Sequence, residues 1–277
     1  MTITEVTAQP TDAEHFSHIL QVQRAAYLRD GAPSLAARRS DLNNLKAALI
    51  ARRSAIEEAI NTDFGHRSRH ETAMMELVGV VQGIDYLQRN LRRFMRPTRR
   101  RIALPLRFGT NRVEYQPLGV VGVISPWNYP VNLSLMPVVT AIAAGNRVML
   151  KPSKLTPATN TVLASMLSEV FPPEQVTIVS GDGSAFSSLP FDHLVFTGST
   201  AVGRAVMKAA SEPRPRHART RRQVSGHRRQ GTRAVPDRGR HRLREASQRR
   251  ADLHRPPTTP WYTNPRSTPS SRAMTGW

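Results

Sequence analysis

The chain has 277 residues, a formal net charge of +20 and a hydrophobic fraction of 39%, enough for a core in one large domain or two ordinary ones. The absence of cysteine excludes disulfides, thiolate metal sites and a cysteine nucleophile within these residues. The sequence contains no run of about eighteen apolar residues, so it predicts no membrane span. The start of the chain lacks the features of a secretory signal. We expect a cytoplasmic protein without a metal site.

The N-terminal part is predicted to be helical after a flexible lead-in over residues 1–15. Helical periodicity runs from residue 16 to a glycine stop at Gly31, and then over 34–65 to a second stop at Gly65. A third helix is predicted over 71–95. The arginine and histidine residues just before it are expected to face solvent or a subunit contact. A basic connector and a β-hairpin then lead towards a sheet.

Strands and helices alternate from residue 120 onward. The apolar run VVGVI (Val120–Ile124) is the first predicted strand. After it we predict a helix over 133–144, a strand over 148–150, a helix that starts at Pro157 with Thr156 as its cap, a strand over 177–181, a short connection over 183–190, a strand over 193–199 and a final helix. This alternation predicts an α/β fold with a doubly wound, Rossmann-like parallel sheet that follows the N-terminal helices.

Residues 213–277 differ in composition from the rest of the chain. They hold 17 arginines, no lysine and only three acidic residues, and they carry most of the net charge. They have eight prolines and no sustained periodicity, so they cannot bury enough apolar area to offset chain entropy. We expect a disordered, arginine-rich tail. An alternative function is that this basic arm binds nucleic acid through phosphate contacts, although aromatic residues are sparse in it.

Polar groups follow the predicted strands at their C-terminal ends, where open α/β sheets bind ligands. A Pro-Trp-Asn-Tyr-Pro turn follows the first strand, and Lys151 ends the second. In the string FTGSTAVG, Gly198 and Gly203 flank a strand-to-helix turn that could bind a pyrophosphate through free N–H groups. Each feature also has a structural interpretation, because Asn128 could simply stabilise a turn, Lys151 could form a salt bridge and the glycines could serve helix packing.

Three motifs in this region, PWNYP, AAGN and KPS, occur in the order and context that is typical of aldehyde dehydrogenases. The strings DFGHRS and GDGSAFSSLPFDHL resemble the bacterial coniferyl-aldehyde dehydrogenase branch of that family. The resemblance spans residues 16–212. It implies an N-terminal and cofactor-binding region of an enzyme that oxidises a small aromatic aldehyde to its acid with NAD or NADP, and that forms a homodimer.

The resemblance also assigns roles to individual residues. Asn128 would donate a hydrogen bond to the oxyanion that forms when a cysteine thiolate attacks the aldehyde. Lys151 would bind the adenine ribose. Lys154 stands where many members have a glutamate that repels a 2′-phosphate, so we expect NADP to be accepted as well as NAD. The expected cofactor contacts are Ser125, Trp127, Lys151, Ser153, Lys154, Gly198, Ser199 and Gly203.

The cysteine and the general-base glutamate of the family, in GQxC and ELGGK segments, are absent. Synonymous codons can be chosen for residues 219–228 so that translation from one base later gives ELGGKSPAI. The same operation on residues 248–256 gives NAGQTCIA. The two strings share one frame and follow the family's order and spacing. We hypothesise that a frameshift near Glu212 replaced the catalytic domain with an out-of-frame tail, which predicts an inactive chain that does not form the family's dimer.

Overall fold

The computed structural model describes residues 11–102 and 109–211. The predicted tail and most of the predicted lead-in lie outside these residues. The first helix starts at Asp12, inside the predicted lead-in, rather than at Phe16. It starts there because Thr11 and Glu14 form a capping box, in which each side chain accepts a hydrogen bond from the other's backbone N–H.

The described residues contain the following elements. The helices are α1 (Asp12–Asp30), α2 (Leu35–Ala51), α3 (Arg53–Phe64), α4 (Arg69–Thr72), α5 (Gly79–Phe94), α6 (Asn132–Ala143), α7 (Pro157–Val170), α8 (Gly183–Ser187) and α9 (Thr200–Ser211). A π-helical turn, Ala73–Val78, joins α4 to α5. The strands are β1 (Thr98–Arg99), β2 (Arg112–Val113), β3 (Val120–Ile124), β4 (Arg147–Lys151), β5 (Val176–Ile178) and β6 (His193–Phe196). Within residues 11–102 and 109–211, no helix is long and apolar enough to cross a membrane.

Four parallel strands form the central sheet in the order β5-β4-β3-β6, which confirms the predicted α/β fold with a parallel sheet. The last residue of β3, Ile124, lies opposite Lys151 of β4 and Phe196 of β6. The C-terminal ends of three neighbouring strands therefore meet at one edge. A short antiparallel pair of β1 and β2 is present before the sheet, but β1 lies in the segment predicted as the basic connector rather than in the predicted hairpin. Residues 103–108 between the two strands lie outside the described residues.

Helices cover both faces of the central sheet. On one face, α6 and α7 pack on the strands, with α2 and α5 against them. On the other face, α1 and α8 enclose a smaller cluster around Phe16, Phe186 and Met149. The neighbouring residues Val120 and Val121 of β3 belong to different clusters, because successive side chains of a strand point to opposite faces. The sheet is therefore doubly wound, as predicted.

Long-range hydrogen bonds fix α1 against the sheet. Gln23 is fully buried on this helix, and its Nε2 donates to the carbonyl oxygens of Val148 (2.9 Å) and Pro173 (3.2 Å). Near the N-terminal end of α1, the Asp12 carboxylate accepts a hydrogen bond from the backbone N–H of Asp182 (2.8 Å). The first helix thus depends on residues that lie far along the chain.

Several predicted boundaries differ from the structure, among them the ends of the strands predicted over 177–181 and 193–199, which end at Ile178 and Phe196. The helix predicted over 34–65 is interrupted at Arg52, which separates α2 from α3. The short connection predicted over 183–190 contains the helix α8. That helix begins where it does because the Asp182 side chain accepts a hydrogen bond from the backbone N–H of Ala185 (2.6 Å).

The start of α7 is satisfied by a residue from another helix. The helix begins at Pro157, as predicted, but the Thr156 hydroxyl makes no capping hydrogen bond. Instead, the carboxylate of Asp63 accepts from the backbone N–H groups of Ala158 (3.0 Å) and Thr159 (2.8 Å). A carboxylate at a helix N-terminus is stabilised both by free N–H groups and by the helix dipole.

The AAGN motif connects α6 to β4. Gly145 has a φ of 88°, and a Cβ at this position would lie 2.7 Å from the guanidinium carbon of Arg38. Asn146 is 7% exposed, and its Oδ1 accepts from the backbone N–H groups of Leu118 (2.7 Å) and Gly119 (3.1 Å). The motif therefore satisfies backbone donors that precede β3.

We expect Asn146→Ala to lower the free energy of unfolding by about 2–3 kcal/mol, because two backbone donors would lose their acceptor in a largely buried site. Urea denaturation followed by circular dichroism measures this change. Asn43→Ala is the matched control, since Asn43 is exposed and its Oδ1 accepts a hydrogen bond from the amide of Gln88. The control should change the free energy by about 0.5 kcal/mol or less, and equal losses in both variants would contradict the assignment.

Candidate functional site

The candidate site lies at the edge where β3, β4 and β6 end. The backbone N–H of Ser125 donates to the carbonyl of Lys151 (3.2 Å), and the N–H of Thr197 donates to the carbonyl of Ile124 (3.1 Å). These bonds continue the parallel pairing past the strand ends. The PWNYP turn (residues 126–130), the KPSK segment (residues 151–154) and the turn before α9 are thereby placed side by side.

Lys151 is a buried cation at this edge. It is only 9% exposed, and no carboxylate within residues 11–102 and 109–211 forms an ion pair with it. Burial lowers the pKa of Lys151, while the negative charges of Asp182 and Asp12 raise it and the charge of Lys154 lowers it further. The salt bridge considered from the sequence is therefore not formed among the described residues, and the ammonium group is available for a ligand.

The residues after Lys151 form the turn that leads into α7. The Ser153 Oγ accepts a hydrogen bond from the backbone N–H of Leu155 (3.2 Å), and the Ser153 carbonyl accepts from the Asn160 amide (2.7 Å). Lys154 is exposed. Because Asp63 already occupies the N-terminus of α7, the charged groups that this segment offers to a ligand are Lys151 and Lys154.

The glycines after β6 pack against the side chain of Phe196. A Cβ at Gly198 would lie 2.6 Å from this ring, and a Cβ at Gly203 would lie 3.2 Å from it. The Ser199 carbonyl accepts from the N–H of Gly203 (2.9 Å), and the Ser199 hydroxyl accepts from that of Val202 (3.4 Å). The glycines thus let the start of α9 approach the end of β6 closely, and Ser199 lies exposed at the helix N-terminus.

The PWNYP turn places its predicted residues in different environments. The Ser125 hydroxyl, just before the turn, is buried and shares a 2.6 Å hydrogen bond with the Ser134 hydroxyl of α6. Trp127 is 50% exposed, and its ring centroid lies 6.2 Å from that of Phe64. Asn128 is exposed. The edge therefore brings Trp127 and Asn128 to the surface, whereas the Ser125 side chain takes part in internal packing.

Arg67 holds this turn from outside the sheet. Its guanidinium lies between two rings, 4.5 Å from the centroid of Phe64 and 4.9 Å from that of Tyr129. Its Nη1 donates to the carbonyl oxygen of Asn128 (3.0 Å). The side chain is 11% exposed. Of the two expectations for the arginines and histidines before the third helix, solvent or a subunit contact, the first is therefore wrong for Arg67.

Glu76 is the second residue that sequence reasoning missed. It lies on the π-helical turn, is fully buried, and accepts from the backbone N–H groups of Val131 (3.1 Å) and Asn132 (2.8 Å) at the start of α6. Its other carboxylate oxygen lies 3.3 Å from the Nη1 of Arg67. Burial raises the pKa of Glu76 to about 7, and the hydrogen bonds from α6 and the charge of Arg67 only partly oppose this effect.

A signal for Glu76 was present in the sequence. It lies beside apolar residues in the string MMELVGVV, and an acidic residue on an apolar helix face needs a hydrogen-bonding partner. The sequence did not show that the partners are the start of α6 and Arg67.

No group of three or more metal-ligating side chains occurs within residues 11–102 and 109–211.

The fold and this edge define a class of protein, an open parallel α/β domain with basic and glycine-rich strand ends. The profile of the aldehyde dehydrogenase family matches residues 3–219. The chain belongs to the aldehyde dehydrogenase family.

Individual relatives agree with this assignment. The chain is 48% identical over 193 residues to a probable coniferyl aldehyde dehydrogenase of Pseudomonas aeruginosa, an alignment that covers 69% of the chain and 40% of the relative. Two solved structures are similar: a substrate-bound AldH of Staphylococcus aureus (29% identity, TM-score 0.67, 70% of this chain and 43% of that one) and a NAD-dependent benzaldehyde dehydrogenase of Corynebacterium glutamicum (28%, 0.65, 75% and 45%). The chain therefore spans less than half of the length of each relative.

Proposed function

We propose that residues 16–212 form the cofactor-binding part of an NAD(P)-dependent aldehyde dehydrogenase of the coniferyl-aldehyde type. The observation that carries this proposal is Lys151, a buried cation without an ion-pair partner among the described residues, on the same sheet edge as the glycine turn that follows β6. An anionic dinucleotide fits this chemistry, because it supplies charge to Lys151 and needs close backbone approach at the start of α9.

The proposed contacts follow the segments of the edge. Lys151, Ser153 and Lys154 would bind the adenosine end of the cofactor, and Gly198, Ser199 and Gly203 would form the pyrophosphate turn. Ser125 would contribute its backbone carbonyl, since its hydroxyl is bonded to Ser134. Trp127 would pack against the cofactor from the PWNYP turn. When bound, the cofactor accepts a hydride from the substrate, and the residues of this chain bind and orient it.

For the chemical step, we propose that the side-chain amide of Asn128 donates to the oxyanion that develops on the aldehyde. Its exposed position at the strand edge is compatible with this role. A preorganised donor of this kind contributes about 3 kcal/mol to transition-state stabilisation. The nucleophile has to come from outside this chain, because the chain contains no cysteine.

We therefore propose that the chain as it stands does not oxidise aldehydes, and that a frameshift near Glu212 explains the tail. Sequencing the gene across codons 205–220 tests the second statement, since an uninterrupted frame through an ELGGK segment would identify the active polypeptide. Incubating the purified chain with coniferyl aldehyde and NAD or NADP tests the first, and steady NADH or NADPH formation would contradict it.

The cofactor assignment is tested by isothermal titration of the 277-residue chain with NAD and NADP. We expect Lys151→Met to weaken the binding of both cofactors by about 10- to 100-fold, the usual effect of losing a hydrogen bond from a charged group. Lys208→Met, which changes an exposed lysine in the last turn of α9, is the matched control and should bind as the parent does. Equal affinities in the parent and Lys151→Met would remove the basis of the proposal.

Lys154 is proposed to tolerate a 2′-phosphate. We expect Lys154→Glu to weaken NADP binding by about tenfold relative to NAD, because a carboxylate would replace a cation beside the added phosphate. Arg92→Glu, a charge reversal at an exposed position on α5, controls for the change in net charge. A strong preference of the parent chain for NAD, with Lys154 intact, would contradict the proposed role.

A further inference from the structure

Two charged groups, the fully buried Glu76 and the largely covered Arg67, form a bridge between the π-helical turn and the PWNYP turn. The carboxylate of Glu76 accepts from the first two N–H groups of α6 through one oxygen and faces Arg67 through the other. Arg67 in turn donates to the carbonyl of Asn128. The PWNYP turn is therefore connected at its central residue, through Arg67 at Asn128, and just after its last residue, through Glu76 at the start of α6.

The packing around this bridge supports a fixed geometry. The amide of Asn132 donates to the carbonyl of Met75 (2.9 Å), which adds a second link between α6 and the π-helical turn. A Cβ at Gly79 would lie 3.1 Å from the same amide, so the glycine permits this close approach. Insertions that widen a helix into a π turn are frequent at functional sites, and here the widened turn directs Glu76 and Met75 towards α6.

We propose that Arg67 and Glu76 are positioning residues that hold the PWNYP turn, and with it Trp127 and Asn128, in the orientation needed at the strand edge. Arg67 contacts Glu76 and also the rings of Phe64 and Tyr129 and the Asn128 carbonyl. A displacement of Glu76 would therefore change the contacts that Arg67 makes with this turn. Trp127 packs on Phe64, so its ring reports on Arg67 without any ligand. The catalytic meaning of this geometry rests on the proposed function, but the positioning itself can be measured in this chain.

The ionisation of Glu76 determines at which pH its ion pair with Arg67 is formed, and it depends on the charged groups that face Glu76. Arg67 and Glu71 are the ionisable neighbours, and α6 contributes two N–H groups. The pKa of Glu76 is raised to about 7, so the carboxylate pairs fully with Arg67 above this pH and loses the ion pair below it. We therefore expect the environment of Trp127 to change with a midpoint near pH 7.

The experiment uses the full chain with Trp261→Phe and Trp277→Phe, which leaves Trp127 as its single tryptophan. Emission and acrylamide quenching of Trp127 are followed from about pH 5 to pH 9. We expect a step near pH 7 that is lost in Glu76→Gln. His66→Asn and His70→Asn, which change ionisable residues close to Arg67 in the chain, serve as controls, and both should retain the step.

Arg67→Lys provides an independent test in case Glu76→Gln does not fold. Lysine keeps the charge but cannot contact two rings and two acceptors at once. Acrylamide should therefore quench Trp127 more strongly at pH 8 than in the parent, while the circular dichroism spectrum is retained. A lower urea midpoint with unchanged Trp127 quenching and an unchanged pH step would show a merely structural role and overturn the proposal.

Titration of the same variants with NAD separates the two proposals. If the parent chain binds NAD and Arg67→Lys binds it more weakly, both proposals are supported. If the parent does not bind NAD while the pH step of Trp127 depends on Glu76, the cofactor proposal fails and the positioning of the turn stands. If NAD binds equally to the parent and to both variants and the step is unchanged, the positioning proposal fails alone.

Discussion

Replacing Phe186 with alanine should lower the free energy of unfolding by about 3–5 kcal/mol, the usual loss for a fully buried phenylalanine. Phe186 is completely buried between α1 and the sheet. Its ring meets that of Phe16 edge to face, with centroids 5.9 Å apart, and lies 4.9 Å from that of Phe191. Removing the ring would leave a cavity at the centre of the smaller hydrophobic cluster.

Urea denaturation of the 277-residue chain, followed by far-ultraviolet circular dichroism, measures this loss. Phe94→Ala is the matched control, because Phe94 is 40% exposed at the end of α5. We expect the control to lose about 1 kcal/mol or less. If both variants lost the same free energy, Phe186 would not be the centre of a tightly packed cluster.

The stability of the chain should fall, relative to that of Glu76→Gln, as pH rises from about 5 to about 8. The folded-state pKa of Glu76 is about 7, above its ordinary value of 4.5. Between these values the folded chain binds more protons than the unfolded chain, so the stabilisation is complete below pH 4.5 and is lost as pH rises through 7. Each pKa unit corresponds to about 1.4 kcal/mol, which gives a total effect of about 3 kcal/mol.

The comparison between parent and variant isolates this carboxylate from the nine histidines of the chain, which are the same in both proteins. Denaturant midpoints are measured at several pH values and converted to free energies. A constant difference between the two proteins across this range would show that Glu76 does not ionise near pH 7. The same ionisation completes the ion pair with Arg67, so the proposed positioning of the PWNYP turn is achieved at some loss of overall stability.

The order of strands and helices followed from the sequence because it depends on local patterns. The run VVGVI and the helical spacing after it are each set by neighbouring residues, and the structure has β3 and α6 at those places. The helix α8 was missed even though it has a local signal, an aspartate at the N-cap position. Its single short turn was too brief for periodicity to reveal.

The site shows the opposite behaviour, because its supporting residues act over long distances in the chain. The prediction for Arg67 relied on the arginines and histidines next to it in the sequence. Its acceptor, the Asn128 carbonyl, lies 61 residues away. Asp63 caps a helix that begins more than ninety residues later. The roles proposed for Asn128 and Lys151 came from family motifs, and periodicity alone left their structural interpretations open.

The attachment of α1 has a consequence for how the chain folds. The hydrogen bond between Asp12 and Asp182 joins residues 170 positions apart, and that between Gln23 and Val148 joins residues 125 apart. A ribosome therefore releases α1 well before it has made the residues that receive this helix. Contacts of such large sequence separation slow folding, and they leave apolar side chains such as Phe16 uncovered in the meantime. We expect amide hydrogens of α1 to gain protection last in pulse-labelling during refolding, after those of α6 and β4.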